Sequence, residues 1–199
     1  MAAVLFCESR PKAVFRSGGR CSVGRRRDFR CLAGFLATTV LGTAAHFLYA
    51  WSGGSPLVGA FCPVNESVWE HMKLLFFPAM GCTVIQLAVE RMQGGAVPAA
   101  RALGVTAGLA AIPALYYTYS GILGFHVLGV DIAIFYLSAA LTFRLDARLR
   151  GRRRLWGGKQ QAAGVLWLWG LAFLFVLWTF RPPHIGLFLD PVSGGYGVP

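Results

Sequence analysis

Five long apolar stretches, each carrying few charges or none, constrain this chain more than any other feature. They run from Leu32 to Trp51, Val68 to Val89, Ala102 to Leu123, Val127 to Phe143 and Ala162 to Phe180. A bilayer core of about 30 Å is crossed by about 20 helical residues. In lipid, every backbone N–H and C=O must be satisfied within the segment, so such stretches are helices. None alternates polar and apolar residues as a barrel strand does. The expected fold class is therefore all-α, a polytopic membrane bundle of five transmembrane helices forming one domain over residues 31–181. The fourth stretch is short for a crossing, and Pro78 and Pro113 should bend the second and third helices. Composition agrees: 56% of the 199 residues are hydrophobic and 14% charged, against about 25% charged in a soluble domain.

A net charge of +11 would point to nucleic acid in a soluble protein. Here its distribution reports topology instead, and nucleic acid is not an expected partner. With the N-terminus in the cytoplasm, five crossings place seventeen of the nineteen Lys and Arg residues inside and leave Lys73 and Arg181 outside. Arg91 and Arg101 then lie in the loop between spans two and three, and Arg144 through Lys159 between spans four and five. This is the positive-inside pattern of a multi-pass cell-membrane protein with an extracytoplasmic C-terminus. Residues 1–30 read as a basic, disordered cytoplasmic leader without the apolar run of a signal peptide. Residues 182–199 read as a tail on or near the outer face. The bilayer is the main expected partner, and the clusters "RRRDFR" and "RLDARLRGRRR" can also touch anionic head groups, at about 1 kcal/mol per cation. Cys7, Cys21, Cys31, Cys62 and Cys82 lack metal-type spacing; only Cys62 would face outward, which argues against a disulfide.

That topology gathers all four histidines and four of the eight acids on the outer side. His46 ends span one; Asn65, Glu66, Glu70, His71 and Lys73 begin span two. Tyr119 ends span three, His126 lies in the turn that follows, and Asp131 opens span four. Arg181, His184 and Asp190 follow span five. Glu66, Glu70 and Lys73 recur at spacings of four and three, which stacks them on one helical face. An ionisable group inside a membrane is costly, so such clusters point to function.

Structural roles compete for the same residues. Ser67-Val68-Trp69-Glu70 fits a capping box, with Glu70 reaching back to the Ser67 N–H, and Asn65 can cap one turn earlier. Both glutamates and Asp131 complement helix N-termini. Trp51 and Trp69 read as interfacial anchors. His184 follows Pro182-Pro183, which holds the ring in a fixed, extended segment. HExxH, G-x-S-x-G and P-loop signatures are absent.

The stretches "HFLYAWSGGSPLVGAFCPVNESVWEHMKLLFFP", "YYTYSGILG", Asp131 and "TFRPPHIGLFLDPVSGGYG" resemble an uncharacterised family of small bacterial membrane proteins with five helices. The resemblance covers roughly residues 33–197, in order. It implies an integral membrane bundle bearing these polar motifs and implies no activity.

Three functions follow from the residues. The reading that asks least is a structural or accessory membrane protein, whose polar groups serve packing and caps and whose tail docks a partner protein or a second copy. The second is a metal-dependent membrane hydrolase or transferase acting on a lipid-type substrate. A divalent metal such as zinc would take ligands from His46, His71, His126, Asp131 and His184, with Glu66 or Glu70 as general base. The third is a module that binds or transports a cation or small solute. Five helices without an internal repeat suit a stand-alone transporter poorly.

Overall fold

The computed structural model describes residues 18–90, 97–152 and 157–198. Five long helices carry the apolar stretches: α1 (Gly18–Trp51), α3 (Val68–Glu90), α4 (Val97–Leu123), α5 (Leu128–Arg150) and α6 (Gly158–Phe180). Each is long and apolar enough to cross a membrane. A single turn, α2 (Pro56–Gly59), follows α1, and a 3₁₀ turn covers Gly186–Phe188. Among the described residues there is no strand, only an isolated bridge between Leu189 and Tyr196. α1, α3, α4 and α5 close a four-membered ring, and α6 packs outside it against α4. α4 is the most enclosed of the five.

Several helix ends lie outside the expected bounds: α6 starts at Gly158 rather than Ala162, so Lys159 is helical and not in the loop, and two further ends share one physical reason. α4 starts at Val97 rather than Ala102, and α5 continues to Arg150 rather than stopping at Phe143. Arg101, expected in a loop, is therefore helical and fully buried. It is enclosed because Asp146, on the extended part of α5, pairs with it at 2.9 Å. The charges lengthen both helices instead of ending them, and the fourth span is not short. α1 likewise begins at Gly18, inside the basic leader, of which residues 1–17 lie outside the described residues. α3 and α4 each continue through their proline.

Small residues let the helices approach. A Cβ added at Gly108 would lie 2.0 Å from Thr142 Oγ and 2.9 Å from the Ser138 carbonyl oxygen. At Gly104 it would lie 2.6 Å from the Thr142 carbonyl oxygen. Gly104 and Gly108 thus form a small-xxx-small contact between α4 and α5, where packing rather than hydrophobic driving force holds helices together. The Thr142 hydroxyl donates back to the Ser138 carbonyl at 2.9 Å, which pairs it within its own helix. Gly108→Leu is expected to destabilise the bundle by about 1–3 kcal/mol or more through overpacking. Gly170→Leu, where the added Cβ meets nothing within 4 Å, is expected to be near neutral. Thermal unfolding in detergent compares the two.

Trp69, expected at the interface, is 6% exposed and belongs to the core. Its ring packs against Phe175 at 4.5 Å, Phe188 at 4.8 Å and Trp178 at 5.1 Å. The tail supplies Phe188, so the tail closes the core at this end of the bundle. Trp51 is exposed.

Candidate functional site

The polar groups singled out in the sequence gather at the rim where α1 ends and α3 begins. Gly53 and Gly54, with φ of 69° and 77°, reverse the chain after α1. The segment from α2 to Ser67 then returns to α3. Its conformation is held from within by a buried ion pair, Glu70 with Lys73 at 2.7 Å. The Lys73 ammonium also donates to the carbonyls of Gly59 at 2.8 Å and Cys62 at 3.3 Å. Glu70 accepts from the Val64 N–H at 3.0 Å and the Thr179 hydroxyl at 3.1 Å. Both side chains are engaged on every side and closed to solvent. The capping box is half formed: Ser67 Oγ accepts from the Glu70 N–H at 3.3 Å. The reciprocal bond is replaced, because Asn65 Oδ1 takes the Ser67 N–H at 2.9 Å while Glu70 turns to Val64.

α3 starts at Val68, so Glu66 precedes the helix and does not share a helical face with Glu70. It points the other way, towards two imidazoles. Glu66 Oε2 lies 3.4 Å from His71 Nε2, and Glu66 Oε1 lies 3.8 Å from His46 Nε2. The two rings are 5.3 Å apart. One ligand atom from each of His46, Glu66 and His71 falls within 4.8 Å of the other two. Donor atoms on a tetrahedral zinc, with bonds of about 2.0–2.1 Å, sit about 3.3 Å apart. The His71–Glu66 distance of 3.4 Å is already close to that value, and the His46–Glu66 distance of 3.8 Å is wider.

Neighbouring groups orient the set. His71 Nδ1 lies 3.0 Å from the Ser67 carbonyl oxygen, which can only accept. Nδ1 is therefore the donor of that bond, and Nε2 is the ring nitrogen that faces Glu66. The tail holds the backbone of the carboxylate residue from the other side. Asp190 accepts from the Glu66 N–H, and Asn65 Nδ2 donates to the Gly197 carbonyl at 2.7 Å. Burial pushes the Asp190 carboxyl up. The Ser193 hydroxyl and the N–H groups of Val192, Ser193 and Glu66 outweigh that and hold it below the usual carboxylate value. Asp190 is thus a clamp for the tail. The nearby Cys62 thiol is pushed up by burial, against the pull of Lys73.

The other expected residues separate into two groups. Tyr119 donates to Asp131 Oδ1 and accepts from the Val127 N–H at 3.1 Å. His126 Nδ1 lies 3.3 Å from Asp131 Oδ2. This group faces Glu66 and His71 across a cleft of about 880 Å³, open mouth included, between α3, α4 and α5. Leu74, Ile112, Ile134 and Phe135 form its apolar lining, and Pro191 and Val192 of the tail reach its edge. His184 lies elsewhere: it is exposed and stacked on Tyr196 at 4.6 Å, so the Pro-Pro segment presents it to the tail and not to the other histidines. Arg181 is exposed as well.

Sequence reasoning missed Thr179, the second partner of Glu70, which follows 109 residues later. It also missed the network at the opposite rim. There Arg101 bonds Asp146, the Ala79 carbonyl at 3.1 Å and Gln86 at 2.9 Å, and stacks over Phe143 at 4.6 Å. The available signal was Asp146, an isolated acid amid arginines with Arg150 four residues on.

The profile of one protein family, described as a family of unknown function (DUF6512), matches residues 27–198. No curated protein and no solved structure matches the chain.

Proposed function

Since the chain belongs to this family of unknown function, whose description assigns no chemistry, we propose a function from its site. The protein is a multi-pass membrane protein that holds a divalent transition metal between His46, Glu66 and His71. The metal lies at the edge of a cleft for a lipid-type substrate, and the chemistry is hydrolysis or group transfer. The distribution of basic residues supports a bundle whose arginine-rich rim faces the cytoplasm and whose imidazole rim faces outward. In that orientation the N-terminus is inside and the tail outside.

The convergence of His46, Glu66 and His71 carries the reading. Packing and capping account for Glu70, Lys73, Asn65 and Asp190, all of which have complete sets of structural partners. They do not account for a half-exposed carboxylate flanked by two imidazoles. With Nδ1 bonded to the Ser67 carbonyl, His71 Nε2 faces the Glu66 carboxylate at 3.4 Å, an approach that calls for a positive charge between them. A proton or a metal ion meets that need. His46 favours the metal, because two imidazoliums 5.3 Å apart repel, whereas two neutral imidazoles and a carboxylate form a three-ligand set with one position open. Imidazole donors favour zinc and its transition-metal neighbours over magnesium or calcium.

An ion held by His46, Glu66 and His71 would supply an acidified water, of pKa about 7, as a nucleophile at neutral pH. Across the cleft, Asp131 is hydrogen-bonded to Tyr119 and paired with His126, a group suited to handling the proton. The lining of Leu74, Ile112, Ile134 and Phe135 suits an acyl chain and not a sugar or nucleotide.

Zinc content and affinity of detergent-purified protein test this. About one zinc per chain is expected. His46→Ala, Glu66→Gln and His71→Ala should each weaken binding by more than the 10–100-fold typical of an outer-shell change. His184→Ala and His126→Ala should leave binding intact. Failure to bind zinc, or binding indifferent to His71→Ala and Glu66→Gln, removes the proposal and leaves the trio as a protonated ion pair.

A further inference from the structure

A second cleft, at the opposite rim from the proposed metal site, is lined by α1 and α5. It encloses about 1120 Å³, open mouth included, and its walls are Leu32 and Phe35 of α1 with Ala140, Phe143 and Ala147 of α5. Ala140 and Ala147 are one reason it is open, because larger side chains on that stripe would fill the space between the helices. Arg144 and Arg148, one helical turn apart on α5, stand at its edge.

These arginines differ from their neighbours. Arg101 and Arg150 both bind Asp146, the acid of this helix segment, and so are engaged within the fold. Arg144 and Arg148 are exposed and have no ion-pair or hydrogen-bond partner among the described residues. Two guanidiniums therefore stand over an apolar trough without a counter-charge among the described residues. Water fills such a trough poorly, since its walls offer few polar partners. A guanidinium fork matches phosphate geometry, and Arg is less strongly hydrated than Lys, so a desolvated phosphate is its natural complement.

We propose that this cleft is a binding site for an anionic glycerophospholipid. Its phosphate lies between Arg144 and Arg148, and an acyl chain runs along Leu32, Phe35 and Phe143. Both the charged edge and the apolar wall are needed, which separates a lipid from a free anion on one side and from any detergent on the other. The site is independent of the metal reading and needs only that the helices span a bilayer.

Native mass spectrometry of the full chain, released from detergent with added phosphatidylglycerol or phosphatidylcholine, tests it. One tightly held phosphatidylglycerol per chain is expected, preferred over phosphatidylcholine. At about 1 kcal/mol per cation, Arg144→Gln with Arg148→Gln should weaken that lipid by about 30-fold and abolish the preference. Ala140→Trp, which fills the trough, should reduce retention of both lipids. Arg152→Gln, a charge outside the cleft, should change neither. Thermal unfolding should stay unchanged in the arginine variant, since both side chains are exposed. The proposal fails if the double variant keeps the preference, or if Arg152→Gln reduces it equally, which would indicate diffuse surface attraction. It also fails if inorganic phosphate displaces the lipid at comparable concentration.

Discussion

Asp146→Ala is expected to cost about 3–5 kcal/mol, the usual consequence of leaving a buried charge without its partner. Arg101 is fully buried, and Asp146 receives its Nε at 3.1 Å and its Nη2 at 2.9 Å. Asp146 Oδ1 also accepts from Arg150 at 2.7 Å. Removing the carboxylate leaves two guanidiniums facing one another near Gln86 Oε1, which lies 2.9 Å from one and 2.8 Å from the other. Arg101→Lys is not a mild change here, because one ammonium cannot serve Asp146, Ala79 and Gln86 from the positions of a planar fork. Replacing the pair together, as Arg101→Met with Asp146→Leu, should recover much of the loss, since desolvating the ions offsets most of their attraction. The midpoint of thermal unfolding in detergent checks all three. A single variant as stable as the parent would mean that Arg101 is hydrated and not enclosed.

Lys73→Ala is the second large effect, again about 3–5 kcal/mol, because Glu70 then stays buried without its cation. Repair should differ from the first case. Glu70→Leu with Lys73→Met removes both charges, but it also strips the Val64 N–H of its acceptor and the Gly59 and Cys62 carbonyls of their donor. A buried backbone group left unpaired costs about 1–3 kcal/mol, so the double variant should stay destabilised. Accessibility of the Cys62 thiol to a maleimide dye reports the outcome, since Cys62 is buried beside this pair. Rapid labelling is expected in Lys73→Ala and intermediate labelling in the double variant. Labelling of Lys73→Ala at the parent rate would show that the pair does not hold the segment carrying Glu66. Zinc affinity separates the roles of the two glutamates: Glu66→Gln should lose metal with little loss of stability, and Glu70→Gln should lose stability first.

The two glutamates also show where sequence reasoning reached its limit. A spacing of four residues places Glu66 and Glu70 on one face only if both are helical, and the helix starts between them at Val68. Asn65 and Ser67 set that start through local hydrogen bonds, and one or two residues of displacement turn Glu66 from the core to the rim. The same holds for His184: its Pro-Pro anchor was legible, but its partner, Tyr196, depends on how the tail folds back. Arg101 was read as a loop residue because a lone arginine at a span's edge carries no mark of the acid 45 residues away that buries it.

What the chain settles by composition and order is coarse and secure: five apolar runs of bilayer length become helices, each long and apolar enough to cross a membrane, where a backbone has no other partners. The polar residues at their ends are equally plain in the sequence. Which of these ends up neutralised inside the bundle, and which is left to face a cleft, is a tertiary outcome. Burial of an ionisable group depends on a counter-charge brought within about 3–4 Å by another helix or loop, and helix spacing says nothing of that distance. Glu70 found Lys73 and Thr179, Arg101 found Asp146, and Glu66 was left with two imidazoles.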